Sequence, residues 1–357
     1  LTPSQRQKLK ECGDGNAHIK AAAGAGKTFV ALHLTLEVLR ERADRTVLFV
    51  AKSMALASFF ASWLSRRAAK GERDAMLGRL HMLAPPKGDG PRLVAHACTT
   101  EYGAIKLSPL KAPSDPYTLV VVDEAHFLYS QLELQRLIEP YASTAVRLFL
   151  LSDASQSIGA HITYPADLRS VELTEVVRSS QRIVFAANAF RCDSQDAEPP
   201  GSHHSVPGPP LKPILFDAPP DSNKQTAMYA AHTLAVLRVV CNDFPGLRLH
   251  NRIAIIVPDA GWREQFESIL EKQLSKEFED RCFQLVDAQK ANSCGTTSAA
   301  QQARKEWLVL DTVEQFDGLE RLFVIAVGLD SPIEYNDAAL ETRSRPYRAL
   351  TRAQMMV

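Results

Sequence analysis

The sequence predicts an α/β protein made of two domains, each a mainly parallel sheet flanked by helices. Three observations carry that prediction. Short apolar runs rich in β-branched residues alternate with longer amphipathic stretches. The alternation pauses at a proline-rich segment and then resumes. The chain has 357 residues, enough for two cores of ordinary domain size.

In the first half, the strand-like runs are AHIKA (17–21), TVLFVA (46–51), YTLVVVD (117–123) and VRLFLLSD (146–153). The stretches KTFVALHLTLEVLRER (27–42) and SMALASFFASWLSRRAAK (53–70) read as helices between them. In the second half, PILFD (213–217), RIAIIVPD (252–259), WLVLDT (307–312) and RLFVIAVGLD (321–330) read as strands. Between the halves, CDSQDAEPPGSHHSVPGPPLKP (192–213) is too proline-rich for helix or central strand and is expected to be a surface loop. The expected domains are 1–165 and 166–357. The chain opens on Leu1-Thr2-Pro3 without a methionine, and a last strand is expected from Met355. The second domain is therefore read as truncated at its C-terminal end.

Composition narrows the function classes. Apolar residues make up 45% and charged residues 23%, as in ordinary soluble chains. No apolar run approaches the ~20 residues that span a bilayer, so no membrane partner is expected. The cysteines (Cys12, Cys98, Cys192, Cys241, Cys282, Cys294) are scattered without a close CxxC pair. That argues against a zinc site or disulfide framework and for a reducing, intracellular compartment. Formal net charge is zero, so nucleic acid would have to be bound in a local groove.

AAAGAGKTFV (21–30) fits the phosphate-loop pattern GxxxxGK[ST], with Ala21 at the usual first glycine. Gly24 and Gly26 permit backbone conformations that aim successive N–H groups at one anion. Lys27 is expected at the β- and γ-phosphates and Thr28 on magnesium. Ala25 and Phe29 complete the expected nucleotide-contacting run. A strand before the loop and a helix after it supply the context the motif needs. LVVVDEAH (119–126) then delivers Asp123 to the metal and Glu124 to the attacking water as general base. A third strand ends in Ser152-Asp153, followed by Gln156, a candidate γ-phosphate sensor. The cofactors expected are ATP and Mg2+.

Together these motifs resemble the motor core of a superfamily 1 helicase, with two RecA-like P-loop NTPase domains. The resemblance implies that Gln5, ahead of the phosphate loop, reads adenine. SDASQSI (152–158) is similar to the third motif, with Ser152 for the usual glycine. LTEVVRSSQRIVFAANAF (173–190) resembles the fourth motif of the UvrD/Rep family and implies Arg178 on the γ-phosphate. LDTVEQFDGLE (310–320) is similar to the fifth, implying Glu320 on the ribose, and RALTRAQ (348–354) to the sixth, implying Arg352 as an arginine finger. The nucleotide is then expected between the two domains, with closure driving movement along a strand. The resemblance also implies that strand ends opposite the ATP site face single-stranded DNA or RNA. Lys52 and Ser53 match the first such contact; Thr99, Thr100 and Tyr102 are candidates for the second, with Tyr102 placed to stack on a base.

The sequence departs from that family in three places. His126 stands where superfamily 1 usually has glutamine, and a DEAH string is commoner in superfamily 2. Glu314 and Asp317 stand where UvrD/Rep proteins tend to have histidine and lysine, and are expected to weaken phosphate contacts nearby. The large accessory insertions of UvrD/Rep helicases are missing, as in the helicase-like portion of Schlafen-type proteins. The expected function is ATP hydrolysis driving helicase or translocase movement on single-stranded nucleic acid. The alternative is a helicase-like ATP-dependent switch or scaffold, acting with a protein partner through flanking regions.

Overall fold

A computed structural model describes all residues except 87–91, 102–103, 111–115, 157–161, 193–199, 205, 220, 279–280, 294–304 and 330–336. The chain divides into two compact units. One comprises Leu1–Arg178 with Cys192–His203 and Asn292–Thr297; the other comprises Ser179–Arg191, His204–Ala291 and Ser298–Val357.

The first unit begins with α1 (Pro3–Cys12), β1 (Ala17–Ala21), α2 (Lys27–Glu41), β2 (Val47–Val50) and α3 (Met54–Arg67). It continues through α4 (Arg73–Leu77), β3 (Leu80–Ala84), β4 (Val94–Glu101), β5 (Ala104–Pro109), β6 (Leu119–Val122), α5 (Ala125–Leu128), α6 (Leu132–Ala142), β7 (Leu148–Ser152) and β8 (Arg169–Leu173). These strands form one sheet in the order β5-β4-β3-β2-β6-β7-β1-β8. The pairs from β3 to β8 are parallel, while β3–β4 and β4–β5 are antiparallel. The central strands are apolar throughout because both sheet faces are covered. On one face Leu48, Val50, Val120, Val122, Leu148 and Leu150 pack with Leu128, Leu134 and Ile138 of α5 and α6. On the other face Phe49 stacks on Phe60 of α3, with ring centroids 3.8 Å apart.

Two features of this unit escaped the strand patterns. β3, β4 and β5, which lie where no strand is expected from the sequence, extend the sheet. β8, beyond the boundary expected at residue 165, pairs in parallel with β1. Its sequence RSVEL shows no strong apolar run because it is an edge strand with exposed alternate residues.

The second strand-bearing region adds a short parallel pair, β9 (Glu175–Val176) with β10 (Gly201–Ser202), which belongs to the first unit. The second unit contains α7 (Gln181–Asn188), α8 (Ser222–Asp243), β11 (Ile253–Val257), α9 (Ala260–Glu277), β12 (Cys282–Val286) and α10 (Ala288–Ser293), of which its first residues through Ala291 belong here. β13 (Lys305–Thr312), β14 (Arg321–Ala326), a helix Asp337–Leu350 and β15 (Ala353–Met356) follow. The sheet is wholly parallel, in the order β12-β13-β11-β14-β15. Its core joins Ile253, Ile255, Leu308, Leu310 and Phe323 to Leu237 of α8 and to Phe266 and Leu270 of α9.

PILFD, expected as a strand, is not one. Leu215 is 95% exposed and Ile214 43% exposed, so the run buries too little to hold a ladder. Pro209, Pro210 and Pro213 also remove backbone donors. Phe216 is its anchor, packed on Tyr229 and His232.

Candidate active site

β1, β7, β6 and β2 run in one direction, so their C-terminal ends lie along one edge of the sheet. The phosphate loop, Ser152-Asp153, Asp123-Glu124 and Lys52 all follow these ends. The edge is therefore a product of topology, and the chemistry on it comes from the residues just after each strand.

The loop turns into α2 through two left-handed glycines, Gly24 at φ +82° and Gly26 at φ +88°. The left-handed backbone at Gly26 favours glycine, and a Cβ there would lie 2.5 Å from Gln5 Nε2, which would have to move. Lys27 Nζ folds back on the loop, donating to Ala21 O at 2.8 Å and Ala22 O at 3.3 Å. It also lies 4.0 Å from Asp153 Oδ2. Ala21 thus serves the loop through its carbonyl, which asks nothing of its side chain. Phe29 points away into an aromatic group, stacked on Trp63 at 5.3 Å with Arg67 over its ring.

Thr28 Oγ1 donates to Asp123 Oδ2 at 2.8 Å, and the backbone N–H of Glu124 donates to Oδ1 at 2.9 Å. Asp123 is fully buried. Burial, then the charge of Glu124, push its carboxyl up to about 6, against the pull of Thr28 and Lys27. A buried carboxylate beside a hydroxyl is a fitting oxygen pair for Mg2+, since a cation would offset both the burial and the neighbouring charge that raise it. Bound there, magnesium would neutralise charge on phosphate oxygens.

Glu124 sits in the left-handed region at φ 52°, an unusual place for a residue other than glycine. Its carboxylate meets His126: Nε2 is 3.3 Å from Oε2. The other ring nitrogen, Nδ1, accepts from the backbone N–H of Asp153 at 3.2 Å. That acceptor role puts the proton of a neutral imidazole on Nε2, facing Glu124. Burial lowers the pKa of His126, although Glu124 and Asp153 work the other way. His126 therefore bridges the candidate base to the end of β7.

Asp153 gathers the remaining polar groups. Its Oδ1 accepts from Ser155, through both backbone and hydroxyl, and its Oδ2 accepts from Gln156 Nε2 at 2.6 Å. Burial opposes its ionisation, but Lys27, Ser155, His126 and Gln156 together hold it below the usual carboxylate range. Gln156 is thus tethered by Asp153. Beneath this edge, Ser152, which replaces the familiar glycine, contacts His18 Nε2 at 2.7 Å.

Two other expected residues meet this loop in ways the sequence did not indicate. The backbone N–H groups of Val177 and Arg178 both donate to Gly24 O, at 3.0 and 3.1 Å. The expected fourth motif is so joined to the phosphate loop through its main chain. Gln5 is 4% exposed and uses both ends of its amide within the protein. Its Oε1 accepts from Thr2 N at 3.0 Å, and its Nε2 donates to Ala25 O at 3.0 Å. The amide expected to face adenine thus has one partner at each end within the protein.

The candidate nucleic-acid residues do not assemble. Lys52 and Ser53 follow β2, on the same edge as the phosphate loop and not the opposite one. Lys52 Nζ lies 3.9 Å over the ring of Phe127. Ser53 caps α3, accepting from Leu56 N at 3.2 Å. Thr99 and Thr100 end β4, which runs antiparallel to β3, so they lie at the other edge. Their hydroxyls donate to Lys106 O and to Asp74 Oδ1. Tyr102 lies outside the described residues.

In the second unit, the other expected motifs lie between β13 and β14 and just before and within β15. Glu320 Oε1 accepts from Gln354 Nε2 at 2.9 Å. Arg352 is buried, with Nε donating to Arg348 O at 2.9 Å and a terminal nitrogen to Thr351 Oγ1 at 3.3 Å. Arg348, which the sequence reading passed over, clamps Asp317 from two nitrogens and reaches Glu314 at 3.6 Å. The two acids expected to repel phosphates are therefore paired within their own unit. The available signal was helical spacing, since Arg348 lies one turn before Arg352.

These features place a P-loop sequence at one edge of a mainly parallel sheet flanked by helices. Residues 2–150 match the family model for the type III restriction enzyme, res subunit, a helicase-superfamily domain. The match supports a helicase-like motor core with ATP and Mg2+ as its usual cofactors; it does not single out the UvrD/Rep group. Among curated proteins, none matches the chain. Among the described residues, no helix is long and apolar enough to cross a membrane.

Proposed function

We propose that this chain is an ATP-driven helicase or translocase motor core acting on single-stranded DNA or RNA. One observation carries the reading: Lys27, Thr28, Asp123, Glu124, His126 and Asp153 form a continuous set of contacts at the ends of three neighbouring parallel strands. In this reading Lys27 and the loop N–H groups hold the β- and γ-phosphates, and Thr28 and Asp123 hold Mg2+. Glu124 takes the proton of the water that attacks the γ-phosphorus. Gln156 senses the γ-phosphate from its tether on Asp153. Arg178 and Arg352 supply guanidinium charge to the phosphoryl group, and Glu320 takes the ribose. Assignment to a UvrD/Rep-like superfamily 1 core with two RecA-like domains is part of the proposal. It rests on the motifs at 173–190, 310–320 and 348–354, beyond the matched span.

A second reading, a helicase-like switch or scaffold with a protein partner, is favoured by the scatter of the nucleic-acid candidates. Steady-state ATPase assays with and without single-stranded DNA and RNA, with Lys27→Ala as blank, separate the two. Stimulation by one polymer that fades with salt supports the motor, because phosphate contacts release counterions. ATP turnover indifferent to both polymers supports the switch.

A further inference from the structure

Gln5 stands where a base-reading glutamine is expected, yet each end of its amide is bonded to the protein's own main chain. The acceptor end closes a capping box with Thr2, whose hydroxyl in turn accepts from Gln5 N at 3.1 Å. The donor end holds Ala25 O. Nε2 also occupies the space where a Cβ on Gly26 would stand, and Val177 closes the same spot from the other side at 3.4 Å. At 4% exposure the side chain is almost wholly covered by the protein.

We infer that Gln5 is a positioning residue for the phosphate loop and not a reader of the base. Its bond to Ala25 O fixes the peptide between the two left-handed glycines. That peptide and its neighbours set where the loop N–H groups point. The helix α1 then acts as a fixed post: its N-terminal cap orients Gln5, and Gln5 orients the loop. A residue used this way helps every polyphosphate equally, whatever base it carries. The site should therefore show little preference between adenine and guanine on account of Gln5. This inference rests on the proposed nucleotide site.

The test is calorimetric titration of wild type, Gln5→Met and Gln5→Ala with Mg-ATP, Mg-GTP and Mg-tripolyphosphate, which has no base. Gln5→Met keeps side-chain volume and Gln5→Ala keeps only the backbone; thermal melts without ligand show which variant is folded. Thr2 still caps α1 in both. Loss of one buried hydrogen bond predicts about tenfold weaker binding of all three ligands, with the ATP-to-GTP ratio unchanged. Weaker ATP binding with GTP and tripolyphosphate unaffected would overturn the inference, since that is the signature of base reading. Unchanged affinity for all three in a folded variant would overturn it too. If both variants unfold, a wild-type preference for ATP of tenfold or more over both GTP and tripolyphosphate counts against it, and near-parity supports it. Wild type that binds none of the three would instead refute the proposed nucleotide site.

Discussion

Replacing His126 by leucine removes both ends of the bridge between Glu124 and Asp153 while keeping most of the ring's bulk. The structure gives the size of the effect. Two contacts are lost, one to the Glu124 carboxylate at 3.3 Å and one from the Asp153 amide at 3.2 Å. A bond to a charged group is worth about 1.5–3 kcal/mol and a neutral one about 1 kcal/mol. The first contact restrains the candidate base, so its loss falls on the chemical step. About 2 kcal/mol there corresponds to roughly a thirtyfold fall in kcat. KM for Mg-ATP should change little, because Lys27, Thr28 and the loop are untouched. His126→Gln, which offers both an amide donor and a carbonyl acceptor, should recover part of the rate. Phosphate-release kinetics over a range of Mg-ATP measure both constants. A folded His126→Leu protein with unaltered kcat, or one whose only defect is a raised KM, would refute the bridging role.

Other predictions follow from particular contacts. Arg348→Met removes the charge-assisted clamp on Asp317, whose side chain is 3% exposed, and should cost about 1.5–3 kcal/mol in urea unfolding. Adding Asp317→Asn should restore much of that loss; a single mutant as stable as wild type would remove the clamp from the account. Gly26→Ala forces a left-handed alanine against Gln5 and should weaken Mg-ATP binding at least tenfold by calorimetry, equal affinity being the contrary result. His18 is held down to about 4 by burial, then by Lys20 and His126. The folded protein thus keeps it neutral while the unfolded chain protonates near 6.5, so stability is full above that value and falls as pH drops toward 4. Between pH 7 and pH 5 this group should account for about 2 kcal/mol of lost stability, absent in His18→Phe and measurable by denaturant unfolding at both pH values.

The strands that carry the site were legible because buried parallel strands must be apolar on both faces. AHIKA, TVLFVA, LVVV and LFLLS each stand out from polar flanks, and the residues after them hold the chemistry. The edge strand β8 and the β4–β5 hairpin were not legible, since half-exposed strands mix polar and apolar residues. PILFD misled for the opposite reason: its composition is strand-like, but prolines and the lack of a covering layer leave it on the surface. At the site, residue types identified the phosphate loop and the carboxylate pair. They did not show how the groups divide their hydrogen bonds. The engagement of Gln5, the bridging by His126 and the pairing of Arg348 with Asp317 depend on groups far apart in sequence meeting at short range.

The measurement that bears most directly on the account is phosphate release from Mg-ATP by wild type and Glu124→Gln, with ATP affinity measured alongside. Wild type should turn over ATP, and the variant should lose about 10²–10⁴-fold in rate while binding ATP as tightly as before. A wild-type protein that binds ATP without hydrolysing it, or a Glu124→Gln variant that turns over at the wild-type rate, would contradict it.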